Sequence, residues 1–340
     1  MTTITIVLIS FAIPVFFTSK FEEEIATSSN KTEYTNVAKP NIEKNNTVKE
    51  NMESYNYKEF NKVRVLHTAT DTIEELPLDE YLYGVVSAEM PANFEKEALK
   101  AQAIVARTYT IYKIKNSIGK HENADICDDS SCCQAWISKE NRMSKWDSSK
   151  KDEYWEKIVS CVDETKGKII TYNNEPINAF FHSNSGGKTE VPVNVWGGTN
   201  YPYLQAVETS GEEGYTQYFS EVTLTKKELI DKMKEYYDDF TIDFEKLDEI
   251  QILEHTDAGR VKTIKIGNKN LSGVEARQIF NLKSANFEYK IQDDNIIFSV
   301  IGYGHGVGMS QTGADSLAKE GKTCDEIIKH FYTGVEIINL

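Results

Sequence analysis

Basic charge is what this chain is short of. Its 340 residues carry 38 Lys and Arg against 53 Asp and Glu, a formal net charge of -15 with a pI near 5.0. Proteins that track nucleic acid neutralise phosphates with clustered cations, so this balance argues against extended nucleic-acid binding. The same balance argues against a surface that lies flat on anionic lipid. Catalytic signatures are missing as well. There is no His-Glu-x-x-His zinc motif. The Ser-x-x-Lys runs at 117–120, 148–151 and 316–319 have no Lys-Thr-Gly or Ser-Asp-Asn companion. No repeat of 20 to 50 residues recurs, which excludes solenoids and propellers. What is present, 40% hydrophobic and 11% aromatic residues, suffices for a real core in one large domain or two smaller ones.

The N-terminus speaks about location. Met1 to Ser19 holds no charged side chain, and Ile4 to Phe17 is nearly all apolar. A cleavable signal peptide carries a basic leader and a small-x-small cleavage site, and neither is evident before Lys20. Residues 1–20 are therefore expected to be an uncleaved single-pass anchor in the cell membrane, with a signal segment as the rival reading, and the rest of the chain is expected outside the cytoplasm. Residues 21–59, rich in Asn, Lys, Glu, Thr and Ser, lack the apolar surface to offset chain entropy and are expected to form a flexible linker.

The folded part, 60–340, is expected to be α+β: a mixed helix/strand core, an insertion at 117–150 and an inserted second lobe over about 215–295. Alternation predicts a first strand at Lys62–Thr68. Helices are predicted from Leu78-Asp79, with Asp79 as N-cap, to Glu89, and from about Glu95 to Lys115. Strands are expected at Lys168–Tyr172, Asn178–His182, Val261–Ile266 and Asn295–Ile301. Further helices are expected at Lys226–Tyr236, Val274–Asn281, Met309–Lys319 and Asp325–Tyr332. The segment 117–150 is expected to be irregular.

Three constellations can carry chemistry. Glu89 continues the helical stripe of Leu82, Val85 and Val86, so a carboxylate stands where an apolar residue belongs. Pro91 stops the helix beside it, and a helix C-terminus disfavours negative charge. Desolvation and dipole both favour the protonated form, the preparation a general acid needs. The second constellation is polar. His182 leads into Ser183-Asn184-Ser185-Gly186-Gly187, while Gly302, Gly304, Gly306 and Gly308 surround His305 ahead of Ser310 and Gln311. The glycine loop fails both the dinucleotide and the phosphate-loop fingerprints. The 183–187 run can hydrogen-bond a sugar or form an ordinary Asx/Ser turn, and the glycine loop can bind a ligand or be a tight strand-to-helix turn. His182, Ser183, Ser185, Gly186, Tyr203, His305, Ser310 and Gln311 are the candidate substrate contacts, and Trp196 offers an aromatic face or a core ring. The third is His121-x5-Cys127-x4-Cys132-Cys133, a donor set sufficient for tetrahedral zinc, with a disulfide as the rival in an exported domain. Cys161 and Cys324 read as small buried residues.

Taken in order, Ser87-Ala88-Glu89-Met90-Pro91, Glu97–Ala103, Ala106-Arg107-Thr108-Tyr109, Phe181–Gly187, Gly304–Gln311 and Phe331–Val335 resemble the stage II sporulation protein D family. The blocks span about 62 to 340. The resemblance implies a membrane-tethered peptidoglycan lytic transglycosylase acting in engulfment, with Glu89 as the catalytic residue. It implies glycan strands already stripped of stem peptides, and an amidase partner, stage II sporulation protein P, that such proteins stimulate. Through some clostridial relatives it also implies zinc at His121, Cys127, Cys132 and Cys133, and four protein ligands leave no open position, so a structural role is expected for it. Two departures stand out: Thr312 where the pattern has Tyr, and Glu190-Val191-Pro192-Val193 in place of a more polar stretch.

Overall fold

The computed structural model describes residues 60–116, 121–198 and 201–340. The expected anchor and linker lie outside the described residues. Strands Lys62–His67 and Thr72–Pro77 form an antiparallel hairpin that feeds helix α1, Leu78–Glu89. Pro77, at φ -55°, precedes the first turn without a side-chain cap. Asp79 is therefore not the cap. It pairs instead with Arg107 at 3.4 Å and Lys166 at 3.2 Å. Leu78, Leu82, Val85 and Val86 are buried along one side of α1, as the stripe requires.

Helix α2, Lys96–Asn116, is the axle of the larger core. From Ala101 to Ile111 every residue is buried, which an amphipathic surface helix never shows. Besides α1 and α2 the described helices are α3 (Lys139–Lys145, packed on α1), α4 (Lys151–Glu164), α5 (Pro192–Trp196), α6 (Lys226–Lys234), α7 (Gly273–Ile279), α8 (Gln311–Lys319) and α9 (Cys324–Phe331). The helices in direct contact with α2 are α1, α4, α8 and α9, and strands Lys168–Tyr172, Glu175–Pro176 and Ile126–Cys127 also meet it. Arg107, wholly buried in α2, donates to the carbonyls of Thr165 at 2.8 Å and Val162 at 3.3 Å. This arginine of the Ala-Arg-Thr-Tyr block is a cross-link between helices, and its charge is answered by Asp79.

The class is α+β, as expected, with small sheets and no barrel. A second hydrophobic cluster draws only on residues 224–300, including stacked Phe280 and Phe298 with ring centroids 5.1 Å apart. Its sheets order as 269–272, 261–266, 250–255 and as 287–292, 295–301, 219–225. Two expectations need correction. The strand at 178–182 shrinks to Phe181–His182, which pairs in parallel with Met309–Ser310, so α8 begins at Gln311 and not at 309. The insertion is not irregular throughout: Ile126–Cys127 joins the first hairpin, and α3 starts on a Ser138 cap. Among the described residues no helix is long and apolar enough to cross a membrane.

Candidate active site and metal-ligand cluster

Glu89 is the last residue of α1, and Met90 behind it is already extended, so the carboxyl emerges where the helix stops. One oxygen, Oε1, accepts the Ala135 backbone N–H at 2.7 Å, and Oε2 accepts from the Gln311 amide at 3.3 Å. Burial raises the carboxyl above its ordinary value, and these two hydrogen bonds, which favour the ionised form, only partly offset it. No cation pairs with Glu89 among the described residues. The group faces an open cleft of about 400 Å³ whose walls include Asn93, Arg142, Trp146, Tyr154 and Gln217. A half-buried, cation-free carboxyl held on both oxygens at the wall of such a cleft can deliver a proton and take one back.

The Ala135 donor belongs to a strap, residues 132–137, laid across α1. Gln134 donates to Tyr81 Oη at 3.0 Å and to Thr110 Oγ1 at 2.9 Å, tying the strap to α1 and α2. Gly84 makes the crossing possible: a Cβ there would stand 2.2 Å from Trp136 Nε1 and 2.8 Å from the Ile137 carbonyl. Trp136 in turn packs on His67, centroids 4.9 Å apart.

At the near end of the strap the four predicted ligands come together. His121 Nε2 lies 3.3 Å from Cys133 Sγ and 3.6 Å from Cys132 Sγ, the two sulfurs are 4.0 Å apart, and all four donor atoms fit within 4.8 Å. Ligands about 2.3 Å (sulfur) and about 2.0 Å (nitrogen) from a tetrahedral ion stand roughly 3.5–3.8 Å from one another. The donor set thus fits a metal ion. Hydrogen bonds from Cys132 and Cys133, then burial, push the Cys127 thiol far above its ordinary value. All five cysteines are free thiols, and Cys161 and Cys324 are buried as small core residues.

The candidate sugar contacts divide. Gln311 reaches Glu89, and Ser183 and Gly186 are partly exposed. The others are engaged inside the fold. Tyr203 Oη accepts the Asn178 N–H at 3.0 Å. His182 Nδ1 contacts the Val307 carbonyl at 3.1 Å, and His305 Nδ1 accepts the Val307 N–H at 3.0 Å, so the pair pins the glycine loop. Burial, with the Arg260 charge, pushes His182 down to about 4 and His305 well below its ordinary value, leaving both neutral near pH 7. Ser185 and Ser310 turn their hydroxyls to Glu212, which no sequence pattern had singled out. Glu212 is fully buried and also accepts from Thr209 at 2.7 Å, Thr312 at 2.8 Å, and the N–H groups of Ser185 and Gly187, both at 3.1 Å. Burial alone would raise its carboxyl, but these bonds outweigh it and hold it at about 2. Thr312, where the resemblance has Tyr, therefore faces this buried carboxylate and not the cleft. Trp196 is half exposed, its ring braced by Phe180 and His305 at 4.6 and 5.1 Å between centroids.

A family model described as stage II sporulation protein matches residues 66–172. The stage II sporulation protein D of Bacillus subtilis (strain 168) is 38% identical over 276 residues, covering 81% of this chain and 78% of that protein. That of Bacillus amyloliquefaciens is 36% identical, with the same coverage. An amidase enhancer of Bacillus subtilis (strain 168) is 28% identical over 305 residues, 75% of this chain but 40% of that protein.

Proposed function

This chain belongs to the stage II sporulation protein D family and has a role in sporulation; from that premise we propose that it is a peptidoglycan lytic transglycosylase acting in engulfment. The observation that carries the reading is a solitary acid. Among the described residues lining the cleft, Glu89 is the one carboxylate, and burial favours its protonated form. Most glycosidases use two carboxyl groups flanking the bond, one to protonate the leaving oxygen and one to activate water or attack the sugar. A transglycosylase needs one. Glu89 protonates the oxygen that joins N-acetylmuramic acid C1 to N-acetylglucosamine, and the C1–O bond breaks. The Glu89 carboxylate then takes the proton from the muramic C6 hydroxyl, whose oxygen bonds to C1 and closes a 1,6-anhydro ring. No water is consumed. Ala135 and Gln311 hold the carboxyl through both states, so each transfer starts from the same geometry.

The His121, Cys127, Cys132 and Cys133 cluster is read as a structural zinc site, since four protein ligands leave no open position for a substrate or water. Bound there, the ion would fasten the strap that carries Ala135. Cys133→Ser is expected to lower both metal content and melting temperature. An unchanged melting temperature at full metal loss argues against a structural ion. The N-terminal residues 1–20 and 21–59 are proposed to anchor and tether the domain outside the cytoplasm.

Incubation of the chain and its Glu89→Ala variant with peptide-free glycan strands, followed by mass analysis, tests the reaction. Anhydro-ended fragments, one water lighter than hydrolysis products and absent with the variant, are expected. Ordinary reducing ends would make it a hydrolase. The amidase-enhancer relative favours one second reading, a glycan-binding activator of a peptidoglycan amidase such as stage II sporulation protein P. Under that reading Glu89→Ala leaves strands and amidase stimulation alike unchanged.

A further inference from the structure

Arg142 is a cation without a protein counterpart. It lies on α3 and lines the same cleft as Glu89. Its guanidinium sits over the Trp146 ring, 4.9 Å from the centroid, and Trp146 is braced edge-on by Tyr154 at 5.6 Å. No carboxylate or other acceptor meets the guanidinium among the described residues, and Nε is buried with no hydrogen-bond partner. This is unusual company for an arginine in a chain of net charge -15, where acids outnumber bases by fifteen. Glu89 does not answer it: its oxygens accept from Ala135 and Gln311, and it forms no ion pair with Arg142.

A guanidinium held over an aromatic face with no protein acceptor keeps its N–H donors for a ligand, and those donors suit bidentate capture of a planar anion such as a carboxylate. On the proposed substrate, one group has that chemistry. Muramic acid carries a lactyl ether on C3 whose carboxyl is an amide while a stem peptide is attached and a free carboxylate once the peptide is gone. Resting on the reading of this cleft as the glycan site, we propose that Arg142 binds the free lactyl carboxylate of the muramic acid residue. C3 and C1 belong to one ring, so a carboxylate fixed at Arg142 also fixes where the C1–O bond lies along the cleft wall that holds Glu89. An amide at that position offers the guanidinium one neutral oxygen in place of two charged ones, so the contact is weaker while a stem peptide is attached.

The test is calorimetric binding of a muramic-acid-containing oligosaccharide to Glu89→Gln protein, which holds ligand without turnover. The free acid is compared with its lactyl methyl ester, in the Arg142, Arg142→Met and Arg142→Lys backgrounds. Arg142→Met is expected to weaken free-acid binding about 10- to 100-fold and to leave ester binding within about twofold, with Arg142→Lys between them. Met keeps an apolar stem over Trp146, and thermal melts on all three report whether the fold is intact. Equal loss for acid and ester, or no loss for the acid, overturns the assignment. Anhydro-ended product is scored separately with the unsubstituted chain. Its absence beside acid-selective binding refutes the chemistry and leaves Arg142 standing, and the converse refutes Arg142 alone.

Discussion

At Glu89 two opposing influences meet on one side chain: burial favours the neutral acid, and donors from Ala135 and Gln311 favour the carboxylate. Burial wins, which fixes the sign of a stability effect. A carboxyl raised in the folded state contributes stability that is fully present below its unfolded value, 4.5, and lost as pH rises through the folded value. Glu89→Gln removes that loss, so the variant should melt higher than the parent at pH 7, by about 2–4 °C for each kcal/mol recovered. The gap should close below about pH 4.5, and a variant that melts lower at pH 7 would contradict the burial argument. Gln311 gives the complementary test. Gln311→Met deletes a donor to the carboxylate, so Glu89 should rise further and the pH at which kcat/KM falls on the alkaline side should move up. A downward move would mean that Gln311 does not act on Glu89 in solution. Glu89 was legible in the sequence because a carboxylate interrupts an apolar stripe beside Pro91. Its partners were not. Ala135 contributes a backbone N–H that no side-chain pattern encodes, and Gln311 arrives from 222 residues away.

Among the elements, α1 and the strap across it form the unit that sets the acid. Gly84→Ala separates two contributions of opposite sign. In an exposed helix Ala gains up to about 1 kcal/mol over Gly. Here its Cβ would overlap Trp136 and the Ile137 carbonyl, an overpacking that costs about 1–3 kcal/mol. Crowding should win. The strap shifts, Ala135 is displaced from Glu89, and kcat/KM falls with a change in Trp136 fluorescence. Gain of stability at full activity would show that the strap does not rest on α1. The same contrast explains which elements could be read in advance. Asn295–Ile301 alternates buried and less buried residues without a break, and α1 and α2 ended within a residue or so of their predicted bounds. The two-residue ladder of Phe181–His182 with Met309–Ser310 is set by tertiary pairing alone, which local propensity does not register. Thr72–Pro77 hid for another reason: Glu74 and Glu75 leave an exposed strand with no apolar alternation. Glu212 was invisible in Ser210-Gly211-Glu212-Glu213-Gly214, which looks like an exposed acidic turn. Only the fold shows that the hydroxyls of Ser185, Thr209, Ser310 and Thr312 converge on it.

For the whole molecule the governing quantity is charge. A strand with free lactyl carboxylates is a polyanion, and it approaches a protein of net charge -15. At long range the encounter is repulsive, and one arginine in a cleft does not reverse the sign of the far field. Salt screens that repulsion: the Debye length shrinks from about 30 Å at 0.01 M to about 10 Å at 0.1 M. Between those concentrations kcat/KM on peptide-free strands should therefore rise, on the order of a few-fold. Neutral ester strands should show no rise, since the repulsion is absent for them. Arg142→Met should keep the salt slope of the parent while lowering the curve, because net charge sets the slope and the short-range pair sets the height. The opposite behaviour, kcat/KM falling as salt is added, is what clustered cations steering a polyanion produce. It would mean that basic residues outside the cleft gather the strand, and the solitary cation beside Glu89 would then be one contact among many.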